Sequence, residues 1–255
     1  MTRKQGFQDL AAPRPVLVLQ NRNALFVGPA FNLSPHRIGV HCFAIALEQP
    51  FSLALPMAAP ALSHTLALIR AGERHHLHAT GAMAFIYSVQ TVAVPAAADI
   101  RRYVVENAIL IRDPKVYLAD KLVAARQVFG ALGIASAPSE LPRLSKALHA
   151  ISQTPDSSIG VAGAAHVAGL ATQRFQRMLK RQTGLTFRQH MLRERINKML
   201  RALAGGANLT EAAHHAGFSS SAHLSSTFRA MFGMSPSILL KARTQIIIDA
   251  NDAAR

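Results

Sequence analysis

The 255-residue chain has one cysteine, no tryptophan, three tyrosines and only 13 acidic side chains against 28 lysines and arginines. A single cysteine cannot close an internal disulfide, so nothing in the sequence asks for an oxidising compartment. No apolar run approaches the roughly 20 residues that a membrane helix needs, because Pro56 and Pro60 break the best stretch. The apolar patch from Val16 to Leu19 is too short for a signal peptide. At 50% hydrophobic residues the chain is too apolar for disorder, and its length suits one large or two modest domains. The expectation is a soluble cytoplasmic protein without a membrane span.

The scarcity of acid is uneven. Residues 1–140 carry 13 basic and 8 acidic side chains, whereas residues 141–255 carry 15 basic and 5 acidic ones. Between Thr172 and Ala202 there are nine lysines or arginines and one acid, Glu194. Such a one-sided field attracts polyanions through phosphate contacts and counterion release. Charge alone would equally suit a membrane surface or plain solubility, so the pattern has to decide.

From Val16 to about Val94 the pattern is that of strands. Phe43, Ile45 and Leu47 alternate with Cys42, Ala44 and Ala46; Glu48-Gln49-Pro50 reads as a turn, and Phe51, Leu53 and Leu55 resume the alternation. Leu66 to Ile69 and Ala84 to Val89 are further strands, with Ala71-Gly72 and Thr80-Gly81 as turns. Short strands with close turns predict a small antiparallel sandwich or barrel. Asp99 to Leu110 and Lys115 to Leu132 read as helices, Ala135 to Pro142 as a linker, and every later periodic segment as helical.

The helical part contains a repeat. Residues 164–169 read Ala-Ala-His-Val-Ala-Gly and residues 212–217 read Ala-Ala-His-His-Ala-Gly; further on, Phe175 answers to Leu224, Leu179 to Phe228, Gly184 to Gly233 and Leu185 to Met234. Two copies of one helix–turn–helix unit account for this, with Gly169 and Gly217 at the tight turns. In the second helix of the first unit, Phe175, Met178 and Leu179 form the buried face, leaving Gln173, Arg174, Gln176, Arg177, Lys180 and Arg181 outside. Gln and Arg hydrogen-bond base edges bidentately in a major groove, while Lys and Arg further along meet phosphates. A solvated basic face explains one such helix equally well; duplication of the whole unit favours DNA. Phe187 to Leu203 forms a connecting helix, about 26 Å long at about 1.5 Å per residue. With the helix widths added, the two recognition helices fall about 34 Å apart, one turn of B-DNA.

Three strings carry a family resemblance: Lys180-Arg181-Gln182-Thr183-Gly184, Ala216-Gly217-Phe218-Ser219, and Phe228-Arg229-Ala230-Met231-Phe232-Gly233-Met234-Ser235-Pro236. Over about residues 155–243 the sequence resembles the AraC/XylS family of transcription regulators. The resemblance implies two helix–turn–helix subdomains joined by a long helix, with double-stranded promoter DNA and RNA polymerase as partners. By position, the base-reading residues are Gln173, Gln176 and Arg177 in the first unit and Ser221, Ala222, Ser225 and Ser226 in the second. Here the sequence departs from the family: position 226 is commonly Arg or Lys there, and neither Ala222 nor Ser226 can make a bidentate base contact. Ser219, Ser220, His223 and Arg229 are then phosphate anchors, and specificity concentrates in the first unit. Ala171 stands where a Ser cap is usual, which leaves Thr172 as the substitute.

His36, His41, His75, His76 and His78 fall in the expected sheet region. Pro35-His36-Arg37 followed by Phe43 to Phe51, and His75-His76-Leu77 before the strand through Tyr87, resemble the cupin-like sensor domain of some AraC-type regulators. A cupin metal centre usually opens His-x-His, but position 38 is Ile, so neither metal nor cofactor is expected. His41 shares strand parity with Phe43, and His36, His41, Phe43, His75 and Tyr87 are the candidate effector pocket. Burial is the expectation for Cys42, on the opposite strand face. Val116, Leu118, Leu122, Val123, Val128, Phe129 and Leu132 make the second helix apolar enough to pack on the barrel, a second copy or both, and a homodimer is the expected oligomer.

The expected fold is α+β. A small antiparallel cupin-like β barrel spans residues 1–96 as a sensor, a helical linking or dimerising region spans 97–140, and an all-α DNA-binding domain spans 141–255. The expected function is a sequence-specific transcription regulator that responds to a small-molecule effector. The alternatives are a non-specific architectural DNA-binding protein and a cupin-type metalloenzyme with a DNA-binding tail. No Ser-His-Asp, paired-carboxylate or phosphate-loop constellation stands out, so the chain is read as a regulator and not an enzyme.

Overall fold

The computed structural model describes residues 14–20, 23–55, 62–88, 97–134, 142–153 and 159–249. Nine strands come first: β1 (Val16–Gln20), β2 (Asn23–Pro29), β3 (His36–Arg37), β4 (His41–Ala46), β5 (Phe51–Ala54), β6 (Leu62–His64), β7 (Leu66–Ile69), β8 (Arg74–His78) and β9 (Ala82–Ser88). Helices α1 (Ala97–Arg112) and α2 (Leu118–Ala131) follow, then α3 (Pro142–Gln153), α4 (Val161–Val167), α5 (Thr172–Thr183), α6 (Phe187–Ala204), α7 (Leu209–His215), α8 (Ser221–Phe232) and α9 (Ser237–Lys241). The end of the strand expected through Val89, and the expected linker up to residue 141, lie outside the described residues.

The strands form a six-stranded sheet and a four-stranded sheet, the latter in the order β3-β8-β5-β6. One face of the large sheet presents Leu17, Leu19, Phe26, Cys42, Ala44 and Phe85 to Ile38, Phe51, Leu53 and Leu77 from the side of the small sheet. Its other face presents Val16, Val18, Leu25, Val27, Phe43 and Ile45 to Ile100, Val104 and Ala108 of α1 and Ala124, Ala125, Val128 and Phe129 of α2. A sheet covered on both faces needs strands apolar at every position, which is why Val16 to Leu19 reads as a continuous patch and not as an alternation. Leu118 and Val123 of α2, 53% and 48% exposed, do not join this packing.

After α9 the chain does not stay helical. Gln245-Ile246-Ile247-Ile248 forms β10, which runs parallel to β1 in the register Val16↔Gln245 to Leu19↔Ile248. Three consecutive isoleucines favour the extended state. The strand completes the large sheet in the order β10-β1-β2-β9-β4-β7. The Gln245 N–H donates to the Pro15 carbonyl at 2.8 Å and the Asp249 N–H to that of Leu19 at 2.9 Å. Beyond the strand, Arg126 of α2 donates to both carboxylate oxygens of buried Asp249, at 2.8 and 2.7 Å.

The two helix–turn–helix units are cored differently. Phe175 and Leu179 of α5 pack with Ala164 and Ala165 of α4 and Leu144, Ala147, Leu148 and Ile151 of α3 in a core of their own. Leu224 and Phe228 of α8, Ala212 and Ala213 of α7 and Ile196, Met199, Leu200 and Leu203 of α6 instead share one cluster with the space between the two sheets. The second unit is thus fused to the β part.

Candidate nucleic-acid interface and effector cavity

Helix α5 buries Phe175 and Leu179 and exposes Gln173, Arg174, Gln176, Arg177, Lys180 and Arg181, with Thr172 half-buried at its start. Its side-chain cap is absent: Ala171 occupies the cap position, and Thr172 lies inside the helix and does not substitute for it. Gly184 ends it in the left-handed conformation, φ +71°. The Lys180 ammonium donates to the Gly184 carbonyl, so one candidate phosphate contact also caps its own helix.

Helix α8 repeats this plan with fewer charges. Ser219, Ser220, Ala222, His223, Ser226 and Arg229 are exposed, and Ser221 and Ser225 half-buried. Its hydroxyls are partly spent locally. The Ser220 side chain accepts from the His223 N–H at 3.1 Å, Ser219 Oγ lies 3.0 Å from His223 Nδ1, and Ser226 Oγ donates to the His223 carbonyl at 3.0 Å. The turns between the helices of each unit have Gly169 at φ +63° and Gly217 at φ +73°, as the repeat requires. The connecting helix α6 has 18 residues, about 27 Å at about 1.5 Å per residue. Its Thr186/Gln189 capping box fixes its start. Among its basic residues, Arg193 is buried and paired with Glu194 at 2.7 Å.

The C-terminal end of α8 docks on the β part. The Ser34 N–H donates to the Gly233 carbonyl at 2.9 Å, and Tyr87 of β9 meets Phe232 edge-on with ring centroids 5.9 Å apart. Beside this seam lies a cavity of about 100 Å³. From the β part it is lined by Leu17, Leu19, Asn23, Phe26, Ile38, Cys42, Phe85 and Tyr87; from the helical part by Arg193, Ile196, Asn197, Leu200, Phe228, Met231 and Phe232.

Of the expected pocket residues, His36, His75 and Tyr87 line this cavity, whereas His41 and Phe43 are placed elsewhere. Phe43 shares strand parity with His41 as read, but that face packs under α1 and α2, so Cys42 is the residue turned to the cavity. His41 accepts at Nδ1 from the Ala71 N–H at 3.4 Å. Burial pushes the Cys42 thiol well above its usual range, which makes it unreactive. Asn23, Arg193, Asn197 and Phe232 were missed, because the wall is assembled from two parts of the chain whose joining no local pattern signals.

His36 and His75 meet across the β3–β8 pair with ring centroids 4.2 Å apart and ring planes tilted by 59°. Burial lowers the His36 pKa to about 4 against its Ser34 hydrogen bond, and burial also lowers that of His75. Among the described residues, no group of three or more His, Cys, Asp and Glu side chains is placed to hold a metal ion. The metalloenzyme reading therefore gains no ligand set. No helix among them is long and apolar enough to cross a membrane.

Two helix–turn–helix units joined by α6, beside a β-rich part, define the class. Residues 164–242 match a family model described as a helix-turn-helix domain. Over 87 residues the chain is 37% identical to a probable transcriptional regulator, LumQ of Photobacterium leiognathi, covering 34% of this chain and 35% of that one. Over 75 residues it is 39% identical to the transcriptional activator RhaS of Escherichia coli O157:H7, covering 29% and 27%. The matches thus span about a third of the curated relatives' length, and they bear out the AraC/XylS resemblance over this segment. The whole fold is similar to that of an apo variant of ToxT from Vibrio cholerae: TM-score 0.56 at 13% identity, over 88% of this chain and 98% of that one. ToxT is also known with an unsaturated fatty acid bound, a form matched at TM-score 0.51 and 13% identity over 86% of this chain and 94% of that one.

Proposed function

We propose that the chain is a sequence-specific transcription regulator that reads promoter DNA with α5 and α8 and responds to a small molecule held in the cavity at the seam. Residues 1–96 sense, 97–140 connect or dimerise, and 141–255 bind DNA, with Gln245–Ile248 inserted into the sensor's sheet. The single observation that carries the reading is the face of α5: six polar or basic side chains stand exposed opposite Phe175 and Leu179, on a unit that occurs twice. Gln173, Gln176 and Arg177 read bases, with Thr172, Arg174, Lys180 and Arg181 positioning on phosphate and sugar. Because Ala222 offers no hydrogen-bonding side-chain group and the Ser226 hydroxyl is engaged with the His223 carbonyl, the second unit anchors more than it reads. The occupied ToxT supports an effector here, through the shared fold alone. A homodimer, RNA polymerase contact and a cytoplasmic location belong to the same proposal.

Selection of bound DNA from a random pool at physiological salt tests it. The expected outcome is one strong block and one weaker block about a helical turn apart. In binding assays on the selected site, Arg177→Ala costs about 1–3 kcal/mol and relaxes preference at one base, while Lys180→Ala weakens all sequences alike. Binding without any enriched sequence would instead favour the architectural reading.

A further inference from the structure

We propose that the cavity at the seam recognises a small uncharged molecule carrying a hydroxyl or amide N–H on an otherwise apolar body, and that Asn23 is the residue that selects for the donor. This rests on the effector reading above and adds the chemical class of the ligand.

Size sets the first bound. An apolar cavity of about 150 Å³ admits benzene, so one of about 100 Å³ takes a molecule of about one ring once the flexible Met231 and Met234 give way.

The polar atoms of the wall set the second. Asn23 is 9% exposed, and its Oδ1 has no hydrogen-bond partner among the described residues. A buried amide oxygen without a donor costs stability that a donor from a ligand returns. Two more acceptors follow from the histidines. His36 Nδ1 lies 2.9 Å from the Ser34 carbonyl and His75 Nδ1 3.1 Å from the Glu73 carbonyl. A carbonyl only accepts, so in each neutral ring Nδ1 carries the proton and Nε2 is left as an acceptor. Tyr87 and Asn197 bring an O–H and amide N–H groups to the same wall. A hydroxyl, which donates and accepts, is answered on both counts.

Charge sets the third. Apart from the histidines, Arg193 is the ionisable basic side chain of the wall, and its guanidinium already holds Glu194 at 2.7 Å with both side chains largely buried, 9% and 14% exposed. A carboxylate ligand would meet a guanidinium whose charge Glu194 already neutralises, next to the acceptor oxygen of Asn23. An anion is therefore disfavoured.

Calorimetry and thermal shift on the full chain at pH 7.5 test this with two matched pairs, phenol against toluene and benzamide against benzoate. Phenol is expected to bind roughly 10-fold more tightly than toluene, since one satisfied buried acceptor is worth about that ratio, and benzamide at least as much tighter than benzoate. Asn23→Leu should cut the preference for phenol over toluene severalfold without weakening toluene, and an unchanged preference overturns the role of Asn23; the matched ligands keep the comparison decisive in the unaltered protein if that variant does not fold. Toluene equal to phenol overturns the role of Asn23. Benzoate binding as tightly as benzamide overturns the neutral class and leaves an effector cavity that takes anions through Arg193. Failure of all four to bind overturns both this inference and the effector reading, and leaves DNA selection by α5 untouched.

Discussion

Gly233 and Gly184 occupy equivalent helix ends and separate two costs that single residues can carry. Both are left-handed, at φ +72° and +71°. At Gly184 an added Cβ would meet nothing within 4 Å, but at Gly233 it would come 2.6 Å from both His36 Nδ1 and the Ser34 carbonyl oxygen. Gly184→Ala should therefore cost only the backbone term, about 1–2 kcal/mol. Gly233→Ala should cost measurably more, because a backbone oxygen cannot step aside. Denaturant titration of the two variants checks the order; equal losses would mean that α8 is not held against the β part. The sequence marked both glycines through the repeat, but not this difference, since only the three-dimensional seam brings Ser34 and His36 to one of them.

At the scale of elements, the expected and the observed differ most where a strand is covered twice or arrives from far away. Alternation disclosed β4 and β5, and the repeat disclosed the units α4–α5 and α7–α8, because these patterns are local. It misassigned the interior of β4, since both faces of the large sheet are buried and parity cannot say which one borders the cavity. It missed β10 because four residues among helices carry no period of their own. That strand is secured at its end by Arg126 and Asp249, with side chains 41% and 1% exposed. Arg126→Ala removes the counter-charge of a buried carboxylate and should cost about 2–4 kcal/mol, more than Asp249→Asn, which removes the charge as well. Amide exchange should show β10 and β1 losing protection together in Arg126→Ala; protection unchanged in β1 would show that the ion pair does not hold the strand.

The whole molecule is one fused body plus a first helix–turn–helix unit with its own core, and acid should act at the fusion. His36 and His75 lie at the seam, near His76, and a proton on either ring is opposed by burial and by the neighbouring rings. With the folded pKa of His36 at about 4, below its ordinary 6.5, the unfolded chain binds more protons between these values. The stabilisation is complete above about pH 6.5 and is lost as pH falls towards 4. The thermal midpoint should fall between pH 7.5 and 5, and His36→Gln should flatten that slope; a parallel slope in the variant would remove His36 from the account. The pairing of β10 with β1 reaches further, into how the chain is made. The edge of Val16–Gln20 that β10 covers stays open until Ile248 has left the ribosome, more than 220 residues later. At about 5–20 residues per second that is a wait of roughly ten to fifty seconds. For that time the nascent protein carries an apolar strand with unmet backbone groups, the kind of edge that chaperones shield. Its partner is the last strand among the described residues, so any product that stops short of Gln245 bears an unfinished sheet.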